Sequence, residues 1–149
     1  MGNKPKAQLL FVCTGNTCRS PMAEYAWNAN PATTDFTAVS AGLYAFDGEA
    51  MSKNSLEVLK ENRIEAAAFR SQSVTFDLTK DSCLILTMSA GHRHDLLCRF
   101  PDAAERCFTL LDDGDIPDPF GQSIAVYRQT YNEICRGIEK WIKLLTGNN

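Results

Sequence analysis

At 149 residues the chain is long enough to bury one sizeable core and is read as a single domain, 1–149. Its net charge of −3 leaves no basic footprint for nucleic acid or an anionic membrane surface, and no apolar run approaches the roughly 20 residues that span a bilayer. Residues 1–6 show no secretory leader and lack the sixth-position Ser or Thr of a myristoylation motif, so the six cysteines, at 13, 18, 83, 98, 107 and 135, are read as reduced thiols of a cytoplasmic protein.

Residues 8–13 are a continuous apolar run, the pattern of a parallel strand covered on both faces. Ser20 as N-cap and Pro21 at the first helical position then start a helix that uses Met22, Ala23, Ala26 and Trp27 and stops at Asn30-Pro31. A second strand spans 36–41 and ends at Gly42. Residues 48–62 read as a helix on Leu56 and Leu59, with a shorter helical piece at 74–80. A third strand spans 83–88, and Ser89 caps a helix to about residue 99, punctuated by Pro101. A shorter strand at 107–111 leads into a loop, 112–121, with four acidic residues whose spacing does not match a calcium loop. The last segment places Tyr127, Tyr131, Ile134, Ile138, Trp141 and Leu145 at alternating steps of four and three, an amphipathic helix whose stripe is core packing. Four strands alternating with helices predict a doubly wound α/β fold with ligands at the carboxyl ends of the strands, where Cys13 falls.

Cys13 follows Leu9-Leu10-Phe11-Val12 and on that ground alone reads as a small buried hydrophobe. The residues after it reverse the balance. Thr14-Gly15-Asn16-Thr17-Cys18-Arg19 is a tight loop able to turn its amides inward as an anion nest, a helix start faces it, and Arg19 adds a planar fork for a tetrahedral oxyanion. A thiolate beside a bound phosphate is a nucleophile aimed at phosphorus. In the acidic loop, Asp118 stands apart because Pro117 and Pro119 stiffen it and Phe120 walls it, which suits a general acid, although from local sequence alone a solvated turn residue is the better reading. His92 and His94 lie two apart on one helix and point in different directions, so no metal site is expected.

The string Val12 to Ser20, the Asp118-Pro119 pair, the Ser40-Ala41-Gly42 turn and the element order together resemble the low-molecular-weight protein-tyrosine-phosphatase family over essentially the whole chain. That resemblance implies a four-stranded parallel sheet with helices on both faces and a phosphate loop after the first strand. It implies Cys13 as the nucleophile of a thiophosphate intermediate, with Arg19 and the amides of Thr14, Gly15, Asn16, Thr17, Cys18 and Arg19 holding the phosphoryl oxygens. Asp118 would protonate the leaving group and then deprotonate the attacking water, and no metal or other cofactor takes part. Asn16, Ser20 and Ser40 match the loop-support positions, with the Ser20 hydroxyl placed to stabilise the thiolate. Many members carry a histidine in the segment matching residues 68–71, where this chain has Phe69.

Members acting on phosphotyrosine usually have two aromatics after the Asp-Pro and an aliphatic residue between the loop's Asn and second Cys. This chain has Phe120-Gly121 and Thr17, features of the family's protein-arginine-phosphatase branch. The expected substrate is therefore phosphoarginine or phosphotyrosine on a protein, arginine slightly favoured, with Thr17, Phe46 and Phe120 as pocket residues; Phe46 reads nearly as well as core. The protein is expected to act as a monomer or weak dimer. Cys18, five residues after Cys13, is a candidate redox partner for it, or simply packs beneath the loop. Two rivals remain. An arsenate reductase on the same fold needs two further relay cysteines, and Cys83 has no partner in the next dozen residues. A phosphopeptide-binding module would be expected to have lost the nucleophile or the acid.

Overall fold

The computed structural model describes residues 6–33 and 35–147, so Met1 to Pro5, the greater part of the segment on which the leader and myristoylation expectations rest, lie outside the described residues. Four parallel strands, β1 (Ala7–Cys13), β2 (Phe36–Gly42), β3 (Ser82–Thr87) and β4 (Cys107–Thr109), form one sheet in the order β2-β1-β3-β4. The helices are α1 (Arg19–Ala29), α2 (Lys53–Glu61), α3 (Phe76–Asp81), α4 (Ala90–Arg99) and α5 (Ile124–Thr146). β1 is apolar on both faces because both are covered. Leu9 and Phe11 pack with Trp27, Leu59, Ile134 and Ile138 toward α1, α2 and α5, while Leu10 and Val12 pack with Ile85, Leu96 and Cys107 toward α4.

The chain leaves β1 for β2 on one side and reaches β3 on the other, so the strand order reverses at β1. Doubly wound sheets bind ligands at such a switch point, and the loop after Cys13 occupies it.

Several expected boundaries move by one or two residues, among them the third strand, from 83–88 to Ser82–Thr87, and the short helix, from 74–80 to Phe76–Asp81; three further shifts are instructive. The helix expected over 48–62 begins only at Lys53, because the residues before it are held by other strands of chain: Gly48 N–H donates to Ser71 O, Ser71 N–H to Glu49 O and Ser52 N–H to Thr17 O. β4 ends at Thr109 rather than 111, although Leu110 N–H still reaches Thr87 O at 2.8 Å. Helix α1 takes Cys18, not Ser20, as its N-cap and carries no side-chain cap bond. The Ser20 hydroxyl is committed elsewhere.

Candidate active site

The loop between Cys13 and α1 is held from outside by its carbonyls. Those of Cys13, Thr14, Thr17 and Cys18 accept from the N–H groups of Leu43 (3.0 Å), Tyr44 (2.9 Å), Ser52 (2.9 Å) and Met22 (3.2 Å). With the carbonyls turned out, the amides of Thr14 to Cys18 are left free to converge inward, and none donates to a backbone group among the described residues. Two backbone features permit the curl. Asn16 sits in the left-handed region at φ 55°, which asparagine tolerates better than most residues. Gly42 lets β2 pass so close that a Cβ there would lie 2.5 Å from Thr14 O and 3.0 Å from Asn16 N.

Beneath the loop runs a chain of hydrogen bonds whose direction is set by its ends. Gln72 N–H donates to Asn16 Oδ1 at 2.9 Å, which orients the amide so that its Nδ2 donates to Ser20 Oγ and to Ser40 Oγ, each at 2.9 Å. Having accepted, Ser40 gives its own proton to Glu24 Oε1 at 2.7 Å, and the Ser20 hydroxyl, 2.8 Å from Cys13 Sγ, is free to donate to the sulfur. Burial pushes the Glu24 carboxyl above its ordinary range, and the bond from Ser40 pulls it back. Phe69, at the place where the resemblance leads one to expect a histidine, is buried and meets Tyr25 edge-on at 6.0 Å. Its ring cannot hydrogen-bond, and Gln72 supports the network, its side-chain Nε2 also donating to Ser40 O at 3.0 Å.

The cleft above the loop, about 200 Å³, is lined by residues 13–19 together with Asp118 and Phe120. Arg19 is buried; its Nη1 donates to Ile116 O at 2.9 Å and its Nη2 lies 3.7 Å from Asp118 Oδ2. Asp118 is half exposed and accepts the Phe120 N–H at 3.1 Å. The structure thus brings Cys13, Arg19, Asp118, Thr17 and Phe120 to one cleft and leaves Phe46 out of its lining, 75% exposed on the turn after β2. Cys18 is buried, with Sγ 3.3 Å from Ser52 Oγ and 3.4 Å from Tyr127 OH. Burial first, then this thiol, pushes the Tyr127 phenol up to about 12. Thr14 Oγ1 meets His92 Nε2 at 2.8 Å.

Glu24, Gln72, Ile116, Tyr127 and His92 all touch this machinery and gave no sequence signal of doing so, because a partner 16 positions away, as for Glu24, or 56 to 109 away, as for the others, leaves no local pattern. Larger clefts exist. The one of about 400 Å³ between α1 and α5 contains Cys135, but burial pushes that thiol up, which works against a thiolate nucleophile there. Among the described residues, only at Cys13 does a thiol face a loop of free amides, a buried guanidinium and a carboxyl, the equipment for transfer of an oxyanionic group through sulfur.

Fold and cleft together define a parallel α/β protein with a thiol-bearing anion loop at the switch point of its sheet. The chain belongs to the low-molecular-weight phosphotyrosine protein phosphatase family, whose sequence model matches residues 8–149. It is 42% identical to a protein-arginine-phosphatase of Geobacillus stearothermophilus over 85% of this chain and 88% of that one. It is equally 42% identical to the low-molecular-weight protein-tyrosine-phosphatase PtpB of Staphylococcus haemolyticus, over 89% of this chain and 96% of that one. A solved structure of the YwlE arginine phosphatase, a mutant with a phosphorylated active-site serine, superposes with a TM-score of 0.88 at 30% identity, covering 95% of this chain and 97% of that one.

Proposed function

We propose that this chain hydrolyses phosphoarginine on proteins in preference to phosphotyrosine, through a phosphocysteine at Cys13. The preference rests on Thr17. It lines the cleft, and among the described residues its hydroxyl has no partner nearer than the Cys18 sulfur at 3.9 Å. A flat apolar ring seated there leaves that hydroxyl unpaired, worth about 1–3 kcal/mol against phosphotyrosine. The narrow guanidinium of phosphoarginine brings N–H groups that can pair with it. The rest of the pocket supports the same reading, since Phe120 is followed by Gly121 at φ 78° and supplies no second aromatic wall.

In this mechanism the Cys13 sulfur attacks phosphorus while Arg19 and the loop amides take the charge that builds on the oxygens. Asp118 gives its proton to the leaving nitrogen, then takes one from the water that hydrolyses the S–P bond. Ser20, held by the Asn16 amide, donates to the sulfur whenever it is the leaving group. Neither metal nor cofactor is needed. The arsenate-reductase rival is weakened by Cys83, whose Sγ lies against Gln8 O at 3.2 Å. Gln8 is at the opposite end of β1 from Cys13, about 16 Å of strand away. We also assign the protein to the cytoplasm as a monomer or weak dimer; all six cysteines are free, and no described helix is long and apolar enough to cross a membrane.

The test is kcat/KM on matched phosphoarginine and phosphotyrosine peptides, for the native protein and for Thr17→Ile. The native protein is expected to favour phosphoarginine and the variant to move toward phosphotyrosine by at least ~10-fold, about 1.4 kcal/mol. Equal selectivity in the two proteins would defeat the assignment. In the same assay Cys13→Ser is expected to lose turnover but still bind phosphate, and Asp118→Asn to lose ~10²–10⁴ in kcat.

A further inference from the structure

His92 has no part in the mechanism above, yet it is buried against the phosphate-binding loop. Its Nε2 lies 2.8 Å from Thr14 Oγ1, and its Nδ1 is buried with no hydrogen-bond partner among the described residues. That orphan atom settles the tautomer. A proton on Nδ1 would leave a buried N–H donor unpaired, whereas a proton on Nε2 leaves only a lone pair unpaired, the cheaper of the two. Nε2–H therefore donates to Thr14 Oγ1. The imidazolium would require a partner for both nitrogens; burial, with the nearby Arg19 guanidinium, holds the ring down to about 4 against the pull of Asp95, Asp115 and Asp118, so it is neutral where the enzyme works.

Once Thr14 Oγ1 has accepted this bond, its own hydroxyl proton is left to give, and Thr14 lines the cleft. The Thr14 carbonyl is already pinned by Tyr44 N–H, so the remaining freedom is the side-chain rotation that His92 removes. His92 is itself held from two sides: its backbone N–H donates to the N-cap Ser89 Oγ at 3.0 Å, and the neighbouring Ala90 N–H donates to Asp115 Oδ1 at 2.9 Å, on the loop that carries Asp118.

We propose that His92 is a positioning residue that fixes the Thr14 side chain so that its hydroxyl donates to the bound phosphoryl group. The proposal rests on the phosphatase reading for its substrate but not for its test, because inorganic phosphate and orthovanadate report on the loop without turnover. A single hydrogen bond to a charged oxyanion is worth about a decade or more of affinity. His92→Leu and Thr14→Val are each expected to raise the inhibition constants of phosphate and vanadate about tenfold, and the double variant by about tenfold again rather than a hundredfold, since both delete one interaction. His92→Gln, whose Nε2 reaches the same point, is expected to stay within about threefold, and Thr14→Ser likewise. A merely structural role predicts otherwise: Tm would fall in step with affinity in His92→Leu, and glutamine would not rescue.

Native anion affinity in His92→Leu, or a hundredfold effect in the double variant, would overturn the proposal. Non-additive coupling in a protein that hydrolyses neither phosphopeptide would uphold it and defeat the phosphatase reading instead. To separate loss of fold from loss of contact, the anion constants are measured on all variants below their own melting temperatures.

Discussion

Replacing Asn16 by aspartate keeps the size and shape of a fully buried side chain, removes its donors and puts a carboxylate charge in their place. The native amide gives its two protons to Ser20 and Ser40, at 2.9 Å each, so both serines keep their own protons, Ser20 for Cys13 Sγ and Ser40 for Glu24. A carboxylate supplies no proton. Each serine proton then faces two acceptors, and two of the four contacts must go without hydrogen, between groups of like charge. At about 0.5–1.5 kcal/mol for each lost bond and about 1–3 for a buried group left unpaired, the expected destabilisation is about 2–5 kcal/mol, or roughly 6–15 °C in Tm for a chain of this length. If the proton withdrawn is the one on the sulfur, a bond to a charged group worth about 1.5–3 kcal/mol is lost, and kcat/KM is expected to fall ~10–100-fold. Calorimetric melting at pH 7 and kcat/KM on the preferred phosphopeptide measure the two halves separately. An aspartate variant that melts within about 2 °C of the native protein and keeps kcat/KM within about threefold would refute the donor argument, since thresholds this small lie well below the estimates above.

Glu24→Gln keeps the oxygen that accepts from Ser40 and cannot ionise. Because burial raises the folded-state Glu24 above its ordinary 4.5, the stability it contributes is present below that value and is lost as pH rises through the folded value. The variant is therefore expected to match the native protein in Tm at pH 4 and exceed it at pH 8. Gly42→Ala must displace Thr14 O, 2.5 Å from the new Cβ, and Ala45 Cβ at 2.8 Å, and is expected to cost about 1–3 kcal/mol and weaken phosphate binding by calorimetric titration. Peroxide is expected to convert Cys13 to a sulfenic acid that the Cys18 thiol captures as a disulfide with release of water. Dithiothreitol should then restore more activity in the native protein than in Cys18→Ser; equal recovery would remove Cys18 from the scheme.

The layering of the fold was legible because it follows from local periodicity. The apolar run of β1 and the stripe on α5, with Tyr127, Tyr131, Ile134 and Ile138 all buried, each encode their burial within a few consecutive residues. What failed was the stretch before α2. Residues 48–52 contain nothing that forbids a helix except Gly48, and their conformation is decided by bonds to Thr17 and Ser71, which only the assembled fold supplies.

The same division runs through the site, and Ser20 marks where local rules and site chemistry part. By capping rules, a serine before a proline starts the helix and spends its hydroxyl on a first-turn N–H. That bond would occupy a donor at the helix start, where an anion is drawn by free N–H groups and the dipole. In the structure the helix begins one residue before Ser20, after Cys18, and no side chain caps it. Ser20 faces inward instead, fully buried between Asn16 and the Cys13 sulfur. Such a departure from capping grammar is tolerated because the network beneath the loop repays it: Gln72 orients Asn16, Glu24 takes the Ser40 proton, and Asn16, donating to both serines, fixes Ser20. α2 and α5 also start without a side-chain cap; at α1 it is the uncapped start directly after the Cys13 loop that is the residue-level trace of the anion site. It was present in the string Cys13 to Pro21 all along, but only the partners from distant parts of the chain reveal why the cap is missing.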